Sequence, residues 1–274
     1  QAVDNSKKME WFNHAKLGIF IHWGIYSVDG ISESWSFFNN YINHENYMKQ
    51  LNGFSASKYQ PEQWVHLIKE SGAKYTVITT KHHDGVSLWN SKAEKATSIP
   101  QNSLAKKDVL TPFVSALKKS GLKTGLYFSL PDWSHPYYDI NTRTKKRYEL
   151  KNDPKRWQNF ISYYQGQLNE LSTLYSPDLL WFDGDWEHTS EEWEAAQTLD
   201  LLKKYNSNSG FDGLKNTIIV NEDNSVVFNS KSSSYFYLSK TPPPSFFESL
   251  NQIITNVPND MDASISFGMT SDWG

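Results

Sequence analysis

Cysteine is absent from the 274-residue chain. That removes disulfides, thiolate nucleophiles and cysteine-held metals together, but leaves every compartment open, since folding without bridges works in any of them. No apolar run approaches the roughly 18 residues of a membrane span. Basic charge is in no excess either: 27 Lys and Arg against 30 Asp and Glu give a net charge of −3. The short clusters Lys106-Lys107 and Lys145-Lys146-Arg147 do not form the phosphate-neutralising face a nucleic-acid partner needs. H-E-x-x-H, a Gly-rich phosphate loop and G-x-S-x-G are all missing. Metalloprotease, nucleotide-dependent and serine-hydrolase readings therefore lack their signatures.

What the chain has in abundance is aromatic side chains. Its 11 Trp, 15 Tyr and 15 Phe exceed what a core of this size needs, and many stand beside polar residues. Aromatic walls of that kind suit a sugar ring, whose C–H faces pack on π-systems. The length suits a single (β/α) barrel of about 250 residues. The chain opens at Gln1 with no basic-plus-apolar leader, and the expectation is a secreted or periplasmic protein whose signal peptide has been removed.

Five short apolar runs read as buried strands: Leu17 to Ile21, Tyr75 to Thr79, Thr124 to Phe128, Leu179 to Phe182 and Thr217 to Val220. Continuous rather than alternating apolar character marks a parallel sheet covered on both faces. Between them lie helical patterns over Pro61 to Glu70, Val109 to Lys119, Trp157 to Leu174 and Glu191 to Tyr205. The first has Pro at its start, Trp64, Leu67 and Ile68 on one stripe, and a Ser71-Gly72 stop. Regular alternation of strand and helix predicts an α/β fold of the (β/α)8, TIM-like type. From Asn224 the chain turns rich in Ser, Asn and Pro, and Phe246 to Val257 is the last stretch suited to a further buried element before Met261 to Gly274. Five strands and at most a sixth leave an eight-stranded barrel incomplete at its C-terminal end.

The carboxyl end of every apolar run carries chemistry. His22-Trp23-Gly24 follows the first, Lys81-His82-His83-Asp84-Gly85 the second, Ser129 and then Asp132-Trp133 the third. Asp183-Gly184-Asp185-Trp186-Glu187 follows the fourth and Asn221-Glu222-Asp223 the fifth. In parallel α/β folds these ends converge on the face where catalysis occurs. An isolated His there is ordinarily a structural hydrogen-bonder, a Trp is as often core filler, and Asp-Gly pairs commonly mark turns. Adjacent His82 and His83 project to opposite faces of an extended strand, so one alone reaches the mouth unless the strand ends at them. Asp183 differs, because a carboxylate placed directly after Leu-Leu-Trp-Phe sits at the edge of a buried sheet. Glycoside hydrolysis needs two carboxyl groups around a sugar stacked on aromatic rings, whereas metal-dependent hydrolysis would have to share one ion between two adjacent His residues. No metal or cofactor is expected.

Four of these segments together resemble the α-L-fucosidases of glycoside hydrolase family 29. They are Trp11-Phe12 with Lys16 to Gly24, Thr80 to Gly85, Gly125 to Ser129 with Asp132-Trp133, and Asp178 to Gly184. The resemblance runs from about Trp11 to Trp186. It implies a retaining exo-α-L-fucosidase in which Asp183 is the nucleophile, His22, His82 and His83 bind the fucose hydroxyls, and Trp35, Tyr127 and Trp181 line the sugar pocket. It implies a fucosylated glycan as substrate and a single catalytic barrel over 1–274 without the family's C-terminal β-sandwich. Such a chain is expected to be a fragment or a reduced variant.

The departures matter as well. Ser34-Trp35-Ser36, with Glu33 one place displaced, stands where the family usually has Glu-Trp-Tyr, and Asn221-Glu222-Asp223 stands where it often has Asn-Asp-Arg. Phe247-Glu248-Ser249 looks like the segment that carries the general acid/base, so Glu248 is the first candidate and Glu222 the second. Counting back from Trp273 at the family's spacing lands near Ser264, which cannot serve as an acid. Two alternatives stay open: a catalytically impaired fucose-binding relative, and an enzyme that cleaves within fucose-containing polysaccharides.

Overall fold

The computed structural model describes residues 6–208, 218–221 and 264–269. A helix α1 (Ser6–Ala15) leads into strand β1 (Leu17–His22), and three further strand–helix units follow. They run α2 (Pro61–Glu70), β2 (Tyr75–Lys81), α3 (Leu110–Lys119), β3 (Lys123–Ser129), α4 (Pro154–Tyr175) and β4 (Leu179–Asp183). Helix α5 (Ala195–Asn208), β5 (Ile218–Asn221) and β6 (Ser264–Met269) follow, and short helices and two-stranded ribbons fill the connections between these elements. These six strands form one sheet in the order β6-β1-β2-β3-β4-β5. From β1 to β5 every pairing is parallel, which is the expected portion of a (β/α)8-type barrel.

All five apolar runs are strands. Helix α2 has the bounds its Pro61 start and Ser71-Gly72 stop predict, and α4 exceeds the expected span at both ends because Pro154 opens it and the Asp153 side chain accepts from the Arg156 N–H. The last helix begins at Ala195, after Ser190 to Glu194 form turns. Strand β6 departs from the parallel pattern. It lies antiparallel to β1, with His22 opposite Ser264, inside a stretch that sequence reading left without an element. The candidate element Phe246 to Val257 lies outside the described residues.

The period of two along each strand divides the sheet into two faces. Ile19, Ile21, Ile78, Leu126, Leu180 and Phe182 pack into the large cluster shared with the helices. Phe20, Tyr75, Val77, Tyr127 and Leu179 form a second cluster on the inner face, closed at the amino end by Phe12 and Ala15 of α1 and flanked by Trp11 and Trp181. The inner face therefore ends, at the carboxyl side, in His22 two residues beyond Phe20 and in Asp183 two beyond Trp181. Inner-face aromatics build a dry floor beneath those two polar groups.

Candidate active site

Strand β2 carries one residue more than its partner: Thr79 pairs with Tyr127 and Lys81 with Phe128, so Thr80 is extra. The Thr80 hydroxyl donates to the Tyr127 carbonyl (2.6 Å) and fixes the bulge. The strand then ends at Lys81, and His82 to Gly85 turn, the Gly85 N–H bonding the His82 carbonyl (3.0 Å) with Gly85 at φ +77°. A Cβ at Gly85 would fall 2.2 Å from Asp132 Oδ1, so only glycine fits. This turn removes the alternation that would have sent His82 and His83 to opposite faces. Their ring centroids lie 4.4 Å apart, and both histidines join the site.

Asp183 is buried at the end of β4. Its Oδ2 accepts from the Tyr127 hydroxyl and lies 3.6 Å from His83 Nε2. Its Oδ1, equally buried, makes no hydrogen bond among the described residues. Such an atom costs about 1–3 kcal/mol when left unsatisfied, and groups left in that state mark places where a ligand completes the bonding.

Two serines hold the paired histidines, and one of them determines which nitrogen of His83 bears the proton. The Ser129 hydroxyl donates to the Pro131 carbonyl (2.6 Å), so at 2.6 Å from His83 Nδ1 its oxygen is the acceptor. His83 thus carries its proton on Nδ1 and turns a bare Nε2 toward Asp183. Ser34 accepts from the Asp84 N–H (2.9 Å) and engages His82 Nδ1 at 2.6 Å, which leaves Nε2 as the ring nitrogen of His82 not held by a serine. Burial holds all three imidazoles neutral: it pushes His22 down to about 4 and His83 to about 4, in each case against the opposing pull of Asp183. His82 is driven well below its ordinary value by burial, aided by its two neighbouring histidines.

Aromatic rings enclose this group. His22 stacks on Phe20 (4.8 Å) and meets Tyr127 at 5.6 Å, and His82 lies parallel to Tyr127 at 5.8 Å. Trp181 packs edge-on to Phe20 at 5.2 Å. Trp35 stands edge-on to His83 at 5.5 Å and to Trp133 at 5.0 Å. All seven predicted residues that fall in the described part, namely His22, Trp35, His82, His83, Tyr127, Trp181 and Asp183, therefore belong to one connected group. The two acid/base candidates, Glu222 and Glu248, lie outside the described residues.

The supporting residues were less visible in sequence. Trp133, noted only as a strand-end residue, packs its ring 4.5 Å from His83 and donates Nε1 to Glu187 (3.0 Å). Tyr47 donates to Asp84 Oδ2 at 2.6 Å, and burial nevertheless raises Asp84 to about 6. Lys81 is fully buried with its Nζ 4.3 Å over the Phe128 ring. His82, His83 and Asp183 each offer one ligand-capable atom within 4.8 Å of the others, so these are the described residues that could hold a metal ion. Both Nδ1 atoms are already engaged by Ser34 and Ser129, which leaves Nε2 as the free imidazole donor atom of each histidine.

Comparison with known proteins places this geometry. The family profile described as Alpha-L-fucosidase matches residues 1–253. Tissue α-L-fucosidase of Rattus norvegicus is 31% identical over 240 residues, covering 81% of this chain and 48% of that protein. Alpha-L-fucosidase isoenzyme 1 from Paenibacillus thiaminolyticus superposes with a TM-score of 0.66 at 31% identity, covering 78% of this chain and 50% of the other. A GH29 α-L-fucosidase from Bacteroides thetaiotaomicron, solved as a trapped covalent intermediate with 2-fluoro-fucosyl fluoride, gives a TM-score of 0.65 at 28% identity over 80% and 52% of the two chains. The chain spans about half the length of the curated relatives it matches.

Proposed function

The chain belongs to the α-L-fucosidase family of glycoside hydrolases, and from that premise we propose that it is a retaining exo-α-L-fucosidase acting on terminal fucose of glycans. The observation that carries this reading is Asp183: a buried carboxylate, held at Oδ2 by Tyr127, whose Oδ1 is left unbonded among the described residues at the open end of an aromatic-walled group.

In this reading Asp183 attacks the anomeric carbon as the bond to the leaving oxygen breaks and that oxygen takes a proton from a carboxylic acid. A fucosyl ester on Asp183 results. Water, deprotonated by the same acid/base group, then attacks the anomeric carbon and releases fucose with its original configuration. Glu248, and after it Glu222, are the proposed acid/base groups.

The remaining residues position the sugar. The bare Nε2 of His83 accepts a fucose hydroxyl proton, the Nε2 of His82 bonds a neighbouring hydroxyl, and His22 completes the set. Neutral imidazoles suit this role because they neither repel the positive charge that builds on the ring nor compete with it for Asp183. Trp35, Tyr127 and Trp181 line the pocket, where an apolar wall accommodates the methyl group of a deoxysugar.

The test is hydrolysis of 4-nitrophenyl α-L-fucoside followed by proton NMR. Release of 4-nitrophenol with α-L-fucose as the first-formed anomer is expected. First formation of the β anomer would contradict retention. Binding of fucose without release of 4-nitrophenol would favour the impaired relative.

A further inference from the structure

Trp186 lies three residues beyond Asp183, and its side chain is treated unlike any other described tryptophan. It is 50% exposed, and it is the one tryptophan among the exposed large apolar side chains of the described residues. Exposure of this size on an ordinary loop needs no explanation. Here the backbone that carries the ring is fixed on both sides. Gly184 turns the chain at φ +82° out of β4, and a Cβ there would fall 2.3 Å from Pro131. The Asp185 carbonyl accepts from Trp193 Nε1 at 2.9 Å. On the other side, the Glu187 carboxylate accepts from Trp133 Nε1 (3.0 Å) and from the Tyr138 hydroxyl. Residues Asp185 to Glu187 form a single helical turn between these anchors.

The anchors also tie the turn to the sugar-binding group. Glu187 holds Trp133, whose ring is 4.5 Å from His83 and 5.0 Å from Trp35. A loop with two part-buried, hydrogen-bonded flanks thus displays a large flat ring to solvent at the end of the strand that carries Asp183. A preorganised aromatic face is the kind of surface on which a pyranose stacks with little ordering cost.

We infer that Trp186 is the stacking platform for the leaving group, the sugar to which fucose is attached, so that it governs which fucosides are cleaved and takes no part in holding fucose itself. The inference rests on the fucosidase reading above. It assigns to one side chain a binding role for a flat, apolar-faced aglycone, and it separates this role from that of the half-buried and buried aromatics deeper in the site.

The test compares two substrates of the full chain. One is 4-nitrophenyl α-L-fucoside, whose aryl ring occupies the platform. The other is α-L-fucosyl fluoride, whose leaving group is too small to reach it. Trp186→Ala is expected to raise KM for the aryl fucoside about tenfold, in line with the worth of a ring-on-ring contact, while hydrolysis of the fluoride changes less than about twofold. Trp186→Phe, which keeps a ring, is expected to recover most of the loss. Leu174→Ala, another exposed apolar side chain but at the α4 end that leads to the amino end of β4, is the control and should alter neither substrate. Equal loss on both substrates, or no change on either, would overturn the platform. A wild-type chain that cleaves neither substrate would instead overturn the fucosidase reading and this inference with it.

Discussion

Two buried histidine–aspartate pairs occur among the described residues, and they are finished differently. His188 and Asp139 bond each other directly: Nε2 of His188 lies 3.0 Å from Asp139 Oδ1, its Nδ1 lies 3.4 Å from Glu192, and Asp139 Oδ2, which makes no hydrogen bond among the described residues, has the Lys146 ammonium at 3.5 Å. Trp157, Trp193 and Tyr138 pack around the His188 ring at 4.5, 5.1 and 5.7 Å. His83 and Asp183 are left open. Their closest approach is 3.6 Å, and both His83 Nε2 and Asp183 Oδ1 are buried without a hydrogen bond among the described residues. The first pair locks the loop after β4 to the segment before α4 that carries Asp139 and Lys146. In the second, the fold forgoes that satisfaction, and stability withheld at one place in this way is the usual mark of a site built for a ligand.

The largest expected effect separates the two pairs by activity. Asp183→Ala should lower fucoside turnover by at least about a thousandfold, the scale of losing a covalent nucleophile, while its thermal midpoint stays at or above that of the parent, since a buried unsatisfied carboxylate is gone. Turnover assays beside a melting curve decide this, and a destabilised but active variant would break the contrast. His188→Ala should do the reverse. It strands Asp139 without its nearest partner, at a cost of about 3 kcal/mol, read from denaturant unfolding, while turnover per folded molecule stays within about twofold at low temperature.

A smaller effect appears in acid. Burial holds His22 and His83 down to about 4 in the fold, against the ordinary imidazole value of about 6.5 in the unfolded chain. The unfolded chain therefore binds more protons between these values, so stability is whole above pH 6.5 and declines as the pH falls from 6.5 toward 4. Each histidine contributes about 3 kcal/mol at the acid end of that window. His83→Gln should flatten the decline in midpoint over this range. An unchanged slope would mean that His83 is not held neutral by the fold.

Much of this was legible in the sequence because apolar patterning is local. Tyr75 to Thr79 and Leu179 to Phe182 could only be buried strands, and the residues following them had to share one end of a parallel sheet. Asp183 was recognisable for the same reason. What escaped detection depends on contacts that no short window contains. Whether His82 and His83 diverge or converge turns on the extra residue Thr80 and the stop at Lys81, features of pairing with β3 and not of β2 alone. Ser34 and Ser129, small polar residues without pattern, hold the two imidazoles from 48 and 46 residues away. Trp133 was visible at a strand end, yet its link between Glu187 and His83 required the fold. The antiparallel β6 likewise carries no distinctive local signal, and its place beside β1 is a product of tertiary pairing.

The central claim is that Asp183 becomes covalently joined to fucose. A 2-fluoro-fucosyl fluoride tests it directly, because the fluorine at C2 slows both chemical steps while the fluoride leaving group spares the first, so the ester accumulates. The parent protein and Asp183→Ala are incubated with the reagent, digested and examined by peptide mass spectrometry. The account predicts one fucosyl label, on the peptide containing Asp183, and none on the variant. A label on another carboxylate, or turnover of the aryl fucoside with no trapped ester, would contradict it.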